Sequence, residues 1–246
     1  MWRNWAGNAS CAPKRYHEPS SLAELRAVLR AASAAGEHVT LVGEGHSNND
    51  IACTAEHLVS LDRCARVLSV DAAARTVTVE GGARLKQLNE FLPLHGLALP
   101  VLGSIAEQSV AGAMAVATHG TGASHGVIST WLLAVELVTA SGEVLTVSAD
   151  AHADLLPAVR CGLGALGVAY ALTLQCVPAY ELRSVEAPAR LEAVLAGVPQ
   201  LVASAEFARF WWFPHTDMAV TWTADRASTA CSTRKVPRSR SVFHAM

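Results

Sequence analysis

A glycine-rich loop directly after a short apolar run is the feature that most restricts what this chain can form. Val39 to Val42 is typical of a buried strand and leads straight into the loop Gly43-Glu44-Gly45-His46-Ser47. The glycines remove side chains where the backbone turns, so bare N–H groups can surround an anion such as a pyrophosphate. An ordinary strand-to-loop turn also explains two glycines, but such a turn does not need the imidazole of His46. The loop therefore favours a phosphate-containing ligand with a histidine beside it.

A second segment of small residues also fits a ligand. An Ala- and Gly-rich helix is expected over residues 107–117, followed by the loop Thr118-His119-Gly120-Thr121-Gly122. Gly103-Ser104 and Ser109 offer small donors around the start of that helix, where phosphate groups are favoured. Gly112 would let the segment lie flat against a ligand. Close packing of the helix on a sheet is the alternative explanation. We favour a ligand because the first glycine loop also indicates one.

Gly162-x-Gly164-x-x-Gly167 matches the dinucleotide fingerprint of nicotinamide-binding folds letter for letter. That fingerprint needs a strand before it and a helix after it. Here a short helix over residues 153–159 is expected to precede it, and a strand over residues 168–177 is expected to follow. We therefore predict a tight helix-to-strand turn and no nicotinamide binding.

Composition excludes several classes of function. The chain has 246 residues, 51% of them hydrophobic and 16% charged, with a net charge of -2. No field of one sign indicates a nucleic-acid partner. No signal peptide is evident, and the uncharged stretch from Cys161 to Tyr180 has too short an apolar part to cross a bilayer. None of the six cysteines forms a C-x-x-C pair. We expect mostly reduced thiols, and the spacing of His46, Cys53, His119 and His125 fits no standard zinc site, so no metal is expected.

Helical and strand patterns are mixed without the strict alternation of a doubly wound sheet, which predicts an α+β fold. Helices are expected after the capping pattern Ser21-x-x-Glu24, around Leu85–Leu92 and around Leu191–Ala196. The expected strands are residues 58–61, 66–70, 75–80, 131–139, 144–147 and 207–213. Trp211, Trp212 and Phe213 are interpreted either as lining for a sugar pocket or as a sheet core, and His215 is a candidate to face substrate.

Several motifs resemble the L-gulonolactone and D-arabinono-1,4-lactone oxidases, the aldonolactone oxidase family. The segment from Leu41 to Thr54 is similar to the flavin-attachment segment of that family. The other similar motifs are Leu97-Ala-Leu, Gly112 with Ala117-Thr-His-Gly-Thr-Gly122, Thr173-Leu-Gln-Cys-Val-Pro178 and Phe210-Trp-Trp-Phe-Pro-His215. The resemblance is collinear from about Trp2 to about Trp222.

The resemblance implies a vanillyl-alcohol-oxidase-type, or PCMH-type, fold in which two subdomains hold FAD. It implies that His46 is joined covalently to the flavin; the alternative is a histidine that packs on the flavin ring of a non-covalent FAD. Residues 1–178 would form the FAD-binding domain, with subdomains at about 1–62 and 63–178. Residues 179–225 would begin an incomplete substrate (cap) domain, and residues 226–246 would be a poorly ordered tail. The residues implied to contact the cofactor are Val42, Gly43, Glu44, Gly45, His46, Ser47, Gly103, Ser104, Ser109, Gly112, Thr118, His119 and Val168.

The resemblance further implies oxidation of a sugar lactone, as in ascorbate biosynthesis, with hydride transfer to flavin and molecular oxygen as the acceptor. A small residue at Gly103 would let oxygen reach the flavin. The family's His-Trp-x-Lys motif is absent, so we expect its catalytic residues in a later part and this chain to be a truncated form. The alternatives are an alditol or polyol oxidase, an inactive flavin-binding remnant, and an interaction protein that has lost FAD. Membrane association is known among the similar proteins, whereas the compartment and the oligomeric state stay open.

Overall fold

The computed structural model describes residues 1–227, which divide into two compact units, Met1–Ala179 and the part from Tyr180 onward. Helix and strand are mixed in both units, as the α+β prediction requires. The first unit begins with the strands β1 (Trp2–Arg3), β2 (Ser10–Cys11) and β3 (Arg15–His17). The predictions for residues 228–246, which make up most of the expected tail, concern residues outside the described part.

A small parallel sheet presents the first glycine loop. Its order is β3-β5-β4, with β4 at Val39–Val42 and β5 at His57–Ser60. Helix α1 (Leu22–Ala34) connects β3 to β4 and begins at Ser21, whose hydroxyl accepts a hydrogen bond from the Glu24 N–H at 3.2 Å. The apolar stripe of α1 is buried against Val59 and against residues of a later strand, which fixes the sheet in place.

An antiparallel sheet of order β10-β9-β11-β7-β6 forms the larger part of the first unit. Its strands are β6 (Val67–Asp71), β7 (Thr76–Glu80), β9 (Leu132–Val138), β10 (Val144–Ser148) and β11 (Val168–Gln175). The alternation expected over residues 75–80 is confirmed, because Val77 and Val79 are fully buried. Helix α2 (Leu85–Phe91) and helix α3 (Val110–Ala115) bury Leu85, Leu88 and Val110 in the same core. β8 (Leu97–Ala98) pairs with β12 (Val177–Pro178).

The structure shortens one helix expected from the sequence and confirms one expected turn. Helix α3 is shorter than the expected helix over residues 107–117, because it begins after the N-cap Ser109 and the chain turns to a positive φ at Ala117. The glycine motif at residues 162–167 does lie between helix α4 (Leu156–Val159) and strand β11, so the predicted helix-to-strand turn is confirmed. Gly164 has φ +79° and Gly167 has φ +143°, values that suit glycine.

The second unit is an antiparallel sheet of order β13-β15-β14 with two short helices. The elements are β13 (Leu182–Arg190), α5 (Leu191–Ala196), α6 (Val198–Ala203), β14 (Phe207–Trp212) and β15 (Met218–Arg226). β13 and β15 were not foreseen. β13 is rich in charged and alanine residues, whereas the run from Val220 to Thr223 in β15 is a strand signal that was missed. Trp212 is 50% exposed and Trp211 and Phe213 are also exposed, so this aromatic run is not the core of the described sheet.

Candidate cofactor site

A cleft of about 400 Å³ lies within the first unit, and the first glycine loop forms one of its walls. The start of α3 and the turn at residues 162–167 contribute further walls. Gly81 and Gly82, which follow β7, complete the lining together with apolar side chains such as Leu61 and Leu172. The lining is therefore mostly backbone and small or apolar groups, as in sites that bind a large organic ligand.

The structure brings together eight of the thirteen residues named from the sequence. The residues that line the cleft are Val42, Gly43, Glu44, Gly45, His46, Ser47, Ser109 and Gly112. Gly103 and Thr118 lie behind the lining residue Gln108, whose side-chain amide donates to the Thr118 hydroxyl at 3.1 Å. The other three named residues are not part of the lining: Ser104, His119 and Val168.

Val168 differs from its expected position for a simple reason. It is buried with Leu25 and Val59 between β11 and α1, whereas its neighbours Gly167 and Ala169 line the cleft. Successive side chains of a strand point to opposite faces, so Val168 faces the core when its neighbours face the cleft. The imidazole of His119 is exposed and its Nδ1 lies 2.8 Å from the Gly120 carbonyl oxygen.

Several glycines of the lining have no room for a side chain. A Cβ on Gly43 would lie 2.3 Å from the Ser109 hydroxyl oxygen, and one on Gly82 would lie 1.9 Å from the Leu61 carbonyl oxygen. A Cβ on Gly81 would lie 2.3 Å from the carbonyl oxygen of Ala169. Backbone therefore approaches backbone closely around the cleft. The pair Gly81-Gly82 was missed in the sequence, although two glycines directly after an alternating strand are a signal for such an approach.

A buried carboxylate holds the Gly81–Gly82 turn. Glu80 is 0% exposed and accepts hydrogen bonds from the Tyr170 hydroxyl at 3.0 Å, the Arg66 N–H at 2.8 Å and the Arg66 guanidinium at 2.7 Å. Burial raises the pKa of the Glu80 carboxyl, but the hydrogen bonds from Arg66 and Tyr170 outweigh it and hold the pKa below its ordinary value. The carboxylate is therefore ionised at neutral pH and fixes the end of β7.

A second charged group ties the first glycine loop to the neighbouring elements. The guanidinium of Arg84 lies 2.7 Å from a Glu44 carboxylate oxygen and 2.8 Å from an Asp62 carboxylate oxygen. Arg84 is the N-cap residue of α2, and Glu44 and Asp62 both line the cleft. The positive charge offsets two carboxylates that would otherwise repel an anionic ligand.

His46 has the environment expected of a residue that meets a ligand. Its ring is half-buried in the lining, and its Nδ1 is buried without a hydrogen-bond partner among residues 1–227. A buried polar atom without a partner is costly, so such an atom points to a ligand that binds beside it. The preceding Gly45 has φ +72°, a backbone conformation that residues other than glycine adopt rarely. This conformation sets the direction of the chain at His46.

Comparison with known proteins identifies the kind of domain that carries this cleft. A family model described as FAD binding domain matches residues 13–148. The chain belongs to this family of FAD binding domains. A second model, described as D-arabinono-1,4-lactone oxidase, matches residues 172–243. The resemblance to aldonolactone oxidases found in the motifs is thereby confirmed.

Curated relatives are named as L-gulonolactone oxidases or D-arabinono-1,4-lactone oxidases. The chain is 38% identical over 233 residues to an L-gulonolactone oxidase of Scyliorhinus torazame, covering 95% of this chain and 53% of that protein. It is 40% identical over 217 residues to the L-gulonolactone oxidase of Mus musculus, covering 88% and 49% respectively. For a D-arabinono-1,4-lactone oxidase of Yarrowia lipolytica the values are 36% over 234 residues, covering 94% and 44%. The chain spans about half the length of these curated relatives.

The cleft of this FAD binding domain fits its cofactor in chemical terms. The close-packed glycines leave backbone groups accessible to a pyrophosphate, and the apolar walls suit a flavin ring. The orphaned Nδ1 of His46 lies in the same lining. Among residues 1–227, no helix is both long enough and apolar enough to cross a membrane.

Proposed function

We propose that this chain is the FAD-holding part of an aldonolactone-type oxidoreductase. The observation that carries the proposal is the buried, unpartnered Nδ1 of His46 in a cleft walled by glycines. The fold would be of the PCMH type, with residues 1–178 as the FAD-binding domain and subdomains at about 1–62 and 63–178. Residues 179–225 would begin the substrate domain.

The backbone of the first glycine loop and the start of α3 would hold the pyrophosphate of FAD. Gly43 and Gly45 keep the backbone accessible, and Ser47 and Ser109 add hydroxyl groups to the same lining. Gly112 in α3 and the Gly81–Gly82 turn would let the chain lie against the flavin. Apart from Val168, which faces the core, the residues named from the sequence remain our candidates for cofactor contact, and the eight in the lining are the stronger set.

His46 would be the point of covalent attachment to the flavin. An imidazole nitrogen that carries no proton is a nucleophile, and a loop that holds it beside the cofactor raises its effective concentration. Attachment would form a bond from this nitrogen to the 8α-methyl carbon of the flavin and break one C–H bond of that methyl. The proton would leave, and the two electrons would pass to the flavin and from there to molecular oxygen. Nδ1 has no hydrogen-bond partner among residues 1–227, so in the tautomer with the proton on Nε2 its lone pair is available for such a bond. A covalent link would prevent loss of the cofactor.

Bound FAD supplies the acceptor for the hydride that leaves the hydroxyl-bearing carbon of a substrate. The names of the relatives support a sugar lactone as that substrate, and molecular oxygen would be the final acceptor. Gly103 would leave space for oxygen. The residues of this chain bind and orient the cofactor, whereas the catalytic acid–base groups would belong to the part of the relatives that the chain does not span.

Acid precipitation tests the cofactor assignment directly. The purified full chain should be yellow, and trichloroacetic acid should leave the flavin with the precipitated protein. In His46→Ala the flavin should move to the supernatant while FAD still binds before acid is added. Flavin wholly in the supernatant of the parent protein would refute the covalent link, and a protein that binds no FAD would refute the proposal as a whole.

Substrate class and turnover need a separate experiment. Oxygen uptake with a panel of sugar lactones and alditols distinguishes the lactone oxidase from a polyol oxidase of the same fold. A yellow protein that no lactone or alditol bleaches under anaerobic conditions would be a flavin-binding remnant without turnover. A colourless protein that stays colourless after refolding with FAD would favour an interaction protein instead.

A further inference from the structure

The N-terminal segment, Trp2 to Asn8, lies against the first glycine loop and binds its carbonyl groups. The Trp5 N–H donates to the Gly45 carbonyl oxygen at 2.9 Å. The side-chain amide of Asn4 donates to the Ser47 carbonyl oxygen at 2.9 Å, and that of Asn8 donates to the Asn48 carbonyl oxygen at 3.1 Å. The loop that contains His46 is therefore held from a segment distant in sequence, by bonds on either side of the imidazole.

Asn4 is the anchor of this segment. Its side chain is buried, with 4% of the residue exposed, and both ends of its amide are used. The amide nitrogen also donates to the Asn8 side-chain oxygen at 2.7 Å, and the amide oxygen accepts from the Ala9 N–H at 3.2 Å. A backbone bond from the Asn4 N–H to the Ala9 carbonyl oxygen, at 3.0 Å, closes the same turn. An amide with all these partners cannot rotate without breaking several bonds, so the turn is rigid.

The indole of Trp5 lies beside the imidazole of His46. The two ring centroids are 5.2 Å apart and the ring planes are tilted by 38°. Trp5 is 69% exposed, so burial in a core does not explain why a large aromatic residue stands there. Within residues 1–227 the Nδ1 of this imidazole has no hydrogen-bond partner, so the contact with the Trp5 ring contributes to holding the imidazole in its orientation.

Trp2 also contacts the loop. It lines the cleft, and a Cβ on Gly45 would lie 3.0 Å from its indole ring. The glycine at position 45 thus allows the N-terminal segment to approach the loop, in addition to permitting its φ of +72°. Trp2 and Trp5 therefore both depend on the backbone shape of the loop that carries His46.

We propose that the N-terminal segment is a positioning device for His46, with Trp5 as the positioning residue and Asn4 as its anchor. The inference rests on the proposed attachment of flavin to His46, because the orientation that Trp5 gives to this imidazole matters for the formation of that bond. Trp5 itself forms no bond with the cofactor in this proposal. Its removal should therefore slow attachment of the flavin far more than it weakens FAD binding.

The test uses the full chain, purified as apoprotein from riboflavin-limited cells, with the variants Trp5→Ala and Trp5→Phe. FAD affinity is measured by quenching of flavin fluorescence, and attachment is measured as acid-insoluble flavin over time. In Trp5→Ala we expect attachment to slow by roughly 10- to 100-fold, the loss typical of a displacement of about 1 Å in a reacting group. Trp5→Phe retains an aromatic ring and should recover most of the rate. Leu94→Ala, which removes an exposed apolar side chain elsewhere in the first unit, is the matched control.

Equal losses of FAD affinity and attachment rate in Trp5→Ala would overturn the inference, since they would indicate general damage to the loop. Attachment at the parent rate would overturn it as well. If the parent protein attaches no flavin, the covalent part of the proposed function fails by itself. The inference is then decided by carbethoxylation of His46 in the apoprotein, read by mass spectrometry. A several-fold faster modification in Trp5→Ala, restored by Trp5→Phe, supports the positioning role, and an unchanged rate refutes it.

Discussion

Replacing Glu80 by glutamine should destabilise the first unit by about 3 kcal/mol. One oxygen of the Glu80 carboxylate accepts from the Arg66 N–H at 2.8 Å, and the other accepts from the Tyr170 hydroxyl at 3.0 Å and the Arg66 guanidinium at 2.7 Å. A glutamine amide must place its NH₂ group at one of these positions. In the better orientation the Arg66 N–H then faces another donor and loses its partner, which costs about 1–3 kcal/mol. The bonds from the Arg66 guanidinium and the Tyr170 hydroxyl also become weaker when their acceptor loses its charge, which brings the total to the upper end of that range.

The assay is urea unfolding followed by circular dichroism, with a thermal scan beside it. For a chain of this size the expected loss corresponds to a decrease in Tm of roughly 6–12 °C. Glu143→Gln, at an exposed position of the same unit, is the control and should change stability by no more than about 0.5 kcal/mol. FAD affinity should fall as well, because Glu80 fixes the Gly81–Gly82 turn that lines the cleft. If Glu80→Gln unfolds like the Glu143→Gln control, the carboxylate does not hold this part of the fold.

Two further predictions follow from the site and from the parallel sheet. Gly43→Ala would place a methyl group 2.3 Å from the Ser109 hydroxyl and displace the N-cap of α3, so FAD should bind roughly tenfold more weakly by fluorescence titration. Gly43→Ala/Ser109→Gly should bind nearly as well as Ser109→Gly alone; no recovery would mean that the clash is not the cause. Burial and the adjacent His57 lower the pKa of the His17 imidazole in the folded chain. The unfolded chain therefore binds a proton at His17 more readily than the folded chain does. The free energy of unfolding should consequently fall as the pH drops below roughly 6.5. Hydrogen bonds from Lys14 and His57 lower the pKa of Glu37 to about 2, which adds a loss that begins below roughly pH 4.5. Tm measured between pH 8 and pH 3 checks the contributions of His17 and Glu37. In His17→Asn the decrease in Tm that begins below roughly pH 6.5 should disappear. A parent Tm that does not change from pH 7 to pH 5 would contradict the contribution of His17.

Much of the fold could be predicted because local patterns carry it. Ser21 and the stripe that includes Leu25 and Leu29 are enough to indicate α1, since capping and a 3.6-residue period are local properties. The alternation around Val77 indicates β7 for the same reason. The order of elements around residues 162–167 also sufficed to predict the helix-to-strand turn there. Strand β13 escaped prediction, because its pairing with β15 rather than its own composition makes it a strand.

The amino-acid sequence by itself determined the composition of the first glycine loop, in which His46 follows Gly45. The resemblance to lactone oxidases was also evident from the sequence motifs. The tertiary structure alone decided which other groups meet that loop. Gly81–Gly82, directly after the buried Glu80, and the N-terminal Trp5 come from separate stretches of chain. The two glycines line the cleft, and Trp5 contacts His46, only after the sheets have packed. Side-chain direction has the same origin: Val168 faces the core and Ala169 the cleft because the position of β11 between β7 and β9 sets the orientation of its faces.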